Sequence, residues 1–203
     1  MSVTRTLLAL AVVLACALAA GTPARAETNA APAGPSLPEF FARLKTATHA
    51  SPDPALKPLA SELAAKIHTL SGSLTNSPDA TASLGAALES LLGTRDLESL
   101  AALRKLAAFK LPPEQLNLLR DVRDAGTAYL VQKNLGTIAG IQNDLTLLNL
   151  ALRQGRTADA LEGVRRLAGD PRVGAAPKEF LEALAGHLTP APKKPAPAAL
   201  PAP

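Results

Sequence analysis

Three histidines, His49, His68 and His187, are the side chains best suited to hold a metal or carry a proton, and their local spacing serves neither purpose. None has a carboxylate three residues before it, so the Glu-x-x-His element of di-metal bundles is missing. No two are four residues apart, and no Cys-x-x-Cys-His haem site exists. Only a fold that gathered all three would make a zinc site; taken singly they are surface or helix-end residues. Nucleophiles fare no better. Ser71-Gly72-Ser73 lacks the Gly-x-Ser-x-Gly elbow and reads as a polar helix end. Gly136-x-x-x-Gly140 is not followed by the Lys-Ser/Thr of a phosphate loop, and predicts instead a smooth patch on a helix where another backbone comes close.

Carboxylates are available in pairs, Glu62 with Glu89 and Asp121 with Asp124, and such pairs could do general acid–base work. Exposed helices supply them routinely, so they do not by themselves indicate an enzyme. Arg165-Arg166 and Arg120 with Arg123 are interleaved with Asp121, Asp124 and Glu162, the pattern of a solvated, charge-balanced helix face. Tyr129, the sole tyrosine, falls within an apolar stripe and is expected in the core with its hydroxyl at the rim. No catalytic, cofactor-binding or metal-binding residue is assigned, and no cofactor is expected.

The elements that must position these residues are helices. Ser36-Leu37-Pro38-Glu39 has capping-box spacing and opens a helix carrying Phe40, Phe41 and Leu44. Asp53-Pro54 begins a second, regular from about Pro58, whose stripe Leu56, Leu59, Leu63, Ile67, Leu70, Leu74 lies on one helical face. Ser77-Pro78-Asp79 starts a third with Leu84, Leu88 and Leu91, stopped by Gly93. Thr94 caps a fourth, with Leu97, Leu100, Leu103 and Leu106 facing the core, before Pro112-Pro113 breaks the chain. A long periodic stretch, about 113–153, would span roughly 60 Å as one helix. Its stripe has two phases, Leu118, Val122, Ala125, Tyr129 and then Ile138, Ile141, Leu145, Leu148, Leu152. A bend near Gly136–Gly140 is expected, with two helices and a turn as the alternative. Thr157 caps a helix with Leu161, Val164 and Leu167, and the last begins at Pro177 with Phe180, Leu184 and Leu188. Arg95–Ala107 and Arg156–Ala168 echo one another, as Leu/Ala/Arg helices do by chance, with two copies of a helical hairpin as the alternative.

The first 26 residues give an address. Arg5 precedes the apolar run Leu7–Ala20, Gly21-Thr22-Pro23 breaks it, and Ala24-Arg25-Ala26 puts small residues at alternate positions, the order that a secretory signal peptidase reads. The run is shorter than the roughly 20 residues of a membrane span. Val13-Leu14-Ala15-Cys16 resembles the lipobox of bacterial lipoproteins, which implies lipidation at Cys16. Leu14 departs from that pattern and the apolar run continues past Cys16, so cleavage after Ala26 is expected, with lipidation at Cys16 as the alternative; the two outcomes give a free and a tethered protein.

Removing the leader takes away Arg5 and Arg25, so the 21 Lys and Arg fall to 19 against 17 Asp and Glu, and the formal charge falls from +4 to +2. A near-neutral chain has no broad field for phosphate backbones, and aromatics at 2% give no stacking platforms, so nucleic acid is not an expected partner. Cys16 is the only cysteine; without it the mature chain has no disulfide, and its core must be built from Leu and Ala. Residues 27–35 read as a flexible lead. Residues 189–203 are a Pro/Ala/Lys-rich disordered tail of extended, polyproline type, bearing Lys193-Lys194.

The expectation is therefore an all-α protein: a single helical domain over 36–188, a bundle or stacked hairpins of six or seven amphipathic helices. Its expected role is that of an exported, non-enzymatic interaction or scaffold module of the bacterial cell envelope, periplasmic or extracellular, with a protein partner. Alternatives are a membrane-surface protein, lipidated at Cys16 or bound through an amphipathic helix, and an exported hydrolase with a dispersed site. The oligomeric state is left open.

Overall fold

The computed structural model describes residues 36–74, 78–93, 96–106 and 110–189. All lie in the second of the two units into which the chain divides, Met1–Pro32 and Ala33–Pro203. The leader with Cys16, Ala24 and Ala26, the lead segment, the tail lysines and the caps expected at Ser77 and Thr94 fall outside the described residues.

The described residues form an all-α helical bundle of eight helices: α1 (Leu37–Ala50), α2 (Leu56–Ser73), α3 (Pro78–Leu92), α4 (Asp96–Leu106), α5 (Pro113–Leu135), α6 (Gln142–Arg153), α7 (Thr157–Ala168) and α8 (Ala175–Leu188). Most helices pack on their neighbours in sequence, and the most extensive pairing joins α2 to α5 across the α3–α4 hairpin. The α2 stripe explains this. Leu56, Leu59, Leu63, Ile67, Leu70 and Leu74 are all buried, and 3- and 4-residue steps keep them on one face over the whole helix. The face they meet belongs to a helix buried all round. From Ala125 to Gln132 every residue of α5 is buried, which makes α5 the axis of the bundle.

Close helix approach is achieved at Gly126. A Cβ there would stand 3.1 Å from Leu91 Cδ1 and 3.2 Å from Leu103 Cδ1, so glycine lets leucines of α3 and α4 reach the α5 backbone. The smooth patch expected at Gly136 and Gly140 does not form. Both lie in the turn between α5 and α6, and Gly140 has φ +83°, a left-handed conformation that glycine adopts without steric penalty. The bend expected in 113–153 is accordingly a complete break, and the helix count rises to eight. The phase change between the Leu118–Tyr129 and Ile138–Leu152 stripes marks this turn.

Other local expectations are adjusted. Ser36 occupies the N-cap position of α1 but its side chain makes no capping bond; the first turn is helped by Glu39 beside the positive end of the helix. Arg156, not Thr157, is the N-cap of α7. Helix α8 starts at Ala175, two residues ahead of Pro177. Leu97, expected in the core, is 42% exposed, because α4 turns only Leu100 and Leu103 inward among its leucines with described side chains.

Candidate functional site

A groove of about 430 Å³ runs between α1 and α2. Helix α1 contributes Phe41, Leu44, Lys45, Thr48 and His49, and α2 contributes Lys57, Ala60, Ser61 and Ala64. The 3- and 4-residue steps within each set place them on the facing sides of two helices. Ala60 and Ala64, one turn apart, are too small to fill the space between the helices, so the groove stays open. Its floor is apolar, whereas Lys45, His49 and Lys57 are cationic or titratable. His49 Nδ1 lies 2.8 Å from the Lys45 carbonyl oxygen; a carbonyl only accepts, so Nδ1 carries the hydrogen and Nε2 is left available.

Thr48 joins the groove to the core. Its hydroxyl donates to the Leu44 carbonyl at 2.7 Å and stands near the Tyr129 phenol. Tyr129 is 2% exposed, a core residue as expected. Burial pushes its pKa above the ordinary phenol value; the neighbouring Thr48 hydroxyl opposes that shift and the charge of Asp96 adds to it.

The α1–α2 hairpin is fastened to the bundle by three buried polar side chains in a line. Asp53, in the connecting loop, accepts the Ala55 N–H on Oδ1 at 3.0 Å. Gln132 Nε2 of α5 donates to Asp53 Oδ2 at 2.6 Å. Asn149 Nδ2 of α6 donates to Gln132 Oε1, also at 2.6 Å. Asn149 Oδ1 has no hydrogen-bond partner among the described residues. Each bond is formed in a low dielectric where a missing partner is costly, so the ladder sets the register of the loop, α5 and α6 together. Gly136 makes room for it: a Cβ there would collide with Asp53 Oδ2 and lie 2.7 Å from Gln132 Nε2. None of these three residues stood out as a candidate in the sequence. The available signal was a polar residue in register with an apolar stripe, Gln132 three after Tyr129 and Asn149 four after Leu145.

A second cleft, about 460 Å³, is lined by Asp96, Leu97, Glu98, Asn134, Glu179 and Phe180 among others. Asp96 is already neutralised there by Lys133 Nζ at 2.7 Å and receives Asn134 Nδ2 at 3.1 Å.

The residues picked out in the sequence are not brought together. The three histidines sit on α1, α2 and α8, and no group of three or more His, Cys, Asp or Glu that could hold a metal occurs among the described residues. Burial first, then the charges of Arg123 and Arg104, press the His187 pKa down to about 4, against a bond with the Leu100 backbone. Glu62 is held by Arg153 at 2.6 Å and Lys66 at 3.5 Å, and Glu89 by Arg43 at 4.0 Å. Asp124 is bound by Arg123 at 2.7 Å, yet desolvation leaves its pKa raised. Arg166 pairs with Asp144 at 3.5 Å, and Arg120 with Asn117 at 3.4 Å. Ser71 and Ser73 donate to carbonyls of their own helix, as a polar helix end does.

No protein-family model matches the chain, and no curated protein or solved structure matches it.

Proposed function

We propose that the chain is an exported, non-enzymatic interaction module of the bacterial cell envelope, and that it engages a protein partner through the outward face of α6. The observation that carries this reading is the composition of that face. Leu147 is 54% exposed and Leu150, one turn on, 40%. Around them stand exposed Gln142, Asn143 and Thr146. The charges of the helix are drawn to its edges, Asp144 to Arg166 at 3.5 Å and Arg153 to Glu62 at 2.6 Å. Two neighbouring leucines in an uncharged surround have the make-up of an interface centre, from which Lys, Glu and Asp are depleted. Single exposed leucines would mean nothing. Export rests on the order of basic, apolar and small-x-small residues in 1–26.

The test is a photo-crosslinking residue placed at Leu147 or Leu150 of the full chain in cells that export it, with exposed Arg156 and Glu182 as control positions. A discrete protein adduct confined to the α6 positions, and lost on Thr146→Arg, is expected. Equal adducts at the controls, or none at Leu147 and Leu150, would reject the reading.

A further inference from the structure

The α1–α2 groove shares no residue with the α6 face, and its chemistry is graded along its length. The two helices are successive and joined by the short loop around Asp53, so positions equally far from that loop lie side by side. Phe41 and Ala64 therefore mark one end, Leu44 and Ala60 the middle, and His49 and Lys57 the end beside the loop, with Lys45 between. From Phe41 to His49 the groove runs about 12 Å along α1. No Asp or Glu lines it, and among the described residues no carboxylate is paired with Lys45 or Lys57. Nothing acidic occupies the first turn of α2 either. One end is thus apolar and floored by small side chains; from Lys45 to Lys57 the groove carries two ammonium groups and no carboxylate among its lining residues.

We propose that this groove binds a free single-chain carboxylate amphiphile of the fatty-acid class. The acyl chain lies over Phe41, Leu44, Ala60 and Ala64, and the carboxylate meets the Lys45 and Lys57 ammonium groups. A ligand with one charged end matches a groove charged at one end, and the volume falls in the range of small-ligand sites. Lysine suits this head group, since its ammonium is a mobile point charge that follows a carboxylate on a flexible chain. Thr48 sits beneath the contact, buried, with its hydroxyl held by the Leu44 carbonyl.

The experiment is calorimetric titration of the full chain with sodium decanoate below its micelle concentration, repeated with octanoate and decanol. Decanoate is expected to bind at one site, and each added methylene within the groove tightens binding about fourfold. The Lys45→Gln/Lys57→Gln variant alters two exposed side chains and should bind decanoate at least tenfold more weakly. Decanol should bind wild type no better than decanoate binds that variant. Ala64→Phe, which fills the apolar end, should abolish binding with an unchanged far-ultraviolet circular dichroism spectrum. Absence of decanoate binding to wild type, or unaltered affinity in the lysine variant, overturns the proposal. So does association with phosphatidylglycerol vesicles in place of free decanoate, which would make this a membrane-facing surface. Crosslinking at Leu147 is read out separately, so either proposal can fail without the other.

Discussion

Gln132 of α5 donates from Nε2 to Asp53 Oδ2 at 2.6 Å, although 79 residues separate them, and both side chains are buried. This bond ties the hairpin that forms the groove to the axis of the bundle. Gln132→Leu removes the donor to a buried carboxylate and the acceptor for Asn149 together, and should cost about 3 kcal/mol. Asn149→Leu takes away one donor but also an acceptor that has no partner, and should cost about 1 kcal/mol. Urea denaturation at neutral pH checks the order; equal losses would mean that the ladder contributes nothing beyond packing.

Two glycines give opposite outcomes on substitution by alanine. Gly136 has an ordinary φ of −61°, so its difficulty is steric: the added methyl meets Asp53 and Gln132. Gly136→Ala should destabilise by about 1–3 kcal/mol through overpacking. Gly72 has nothing within 4 Å of the same position and lies in α2, so Gly72→Ala should stabilise by about 0.5–1 kcal/mol. Thermal midpoints of the two variants should move in opposite directions.

The α2 stripe was legible in the sequence because five leucines and one isoleucine repeat at a helical period, and burial follows from the pattern alone. The same reasoning placed Leu97 inside by its three-residue step to Leu100, yet one step cannot say where a helix's apolar face stops. The ladder was hidden for a different reason. Asp, Gln and Asn are the residues that solvent also favours, and their burial depends on partners far away in the chain. The groove was hidden too, since Ala60 and Ala64 read as helix formers until the space above them is seen.

Acid should weaken the fold in two separate windows. The His187 pKa, near 4 in the folded chain against an ordinary 6.5, means that the unfolded chain binds the proton first. The stability gained from the neutral ring is complete above pH 6.5 and is lost as the pH falls from 6.5 to 4. Asp170, held near 2 against an ordinary 3.8 by hydrogen bonds from Arg172, loses its contribution only as the pH falls from 3.8 to 2. The raised pKa of Asp124 works the other way, favouring the fold when that group is protonated. Urea midpoints across pH should therefore show a limb between 6.5 and 4 that His187→Gln flattens; an unchanged limb would locate the titration elsewhere.

The mature N-terminus is expected at Glu27. Intact mass and N-terminal sequence of the chain from cells that export it should give that residue, and Cys16→Ser should leave both unchanged. A diacylated Cys16 terminus would establish the tethered form.

Tyr129 is the only tyrosine and tryptophan is absent, so the near-ultraviolet spectrum is dominated by one chromophore whose position is known. That phenol is buried on the central helix, near the Thr48 hydroxyl beneath the groove. Its absorbance and emission therefore report the packing around the central helix, with no label to attach. Because burial raises its pKa, phenolate should form in the folded chain only at a pH above the ordinary value of 10.0, and its delayed appearance clocks the opening of that core. Ligand entering the groove would be heard by the same reporter from below.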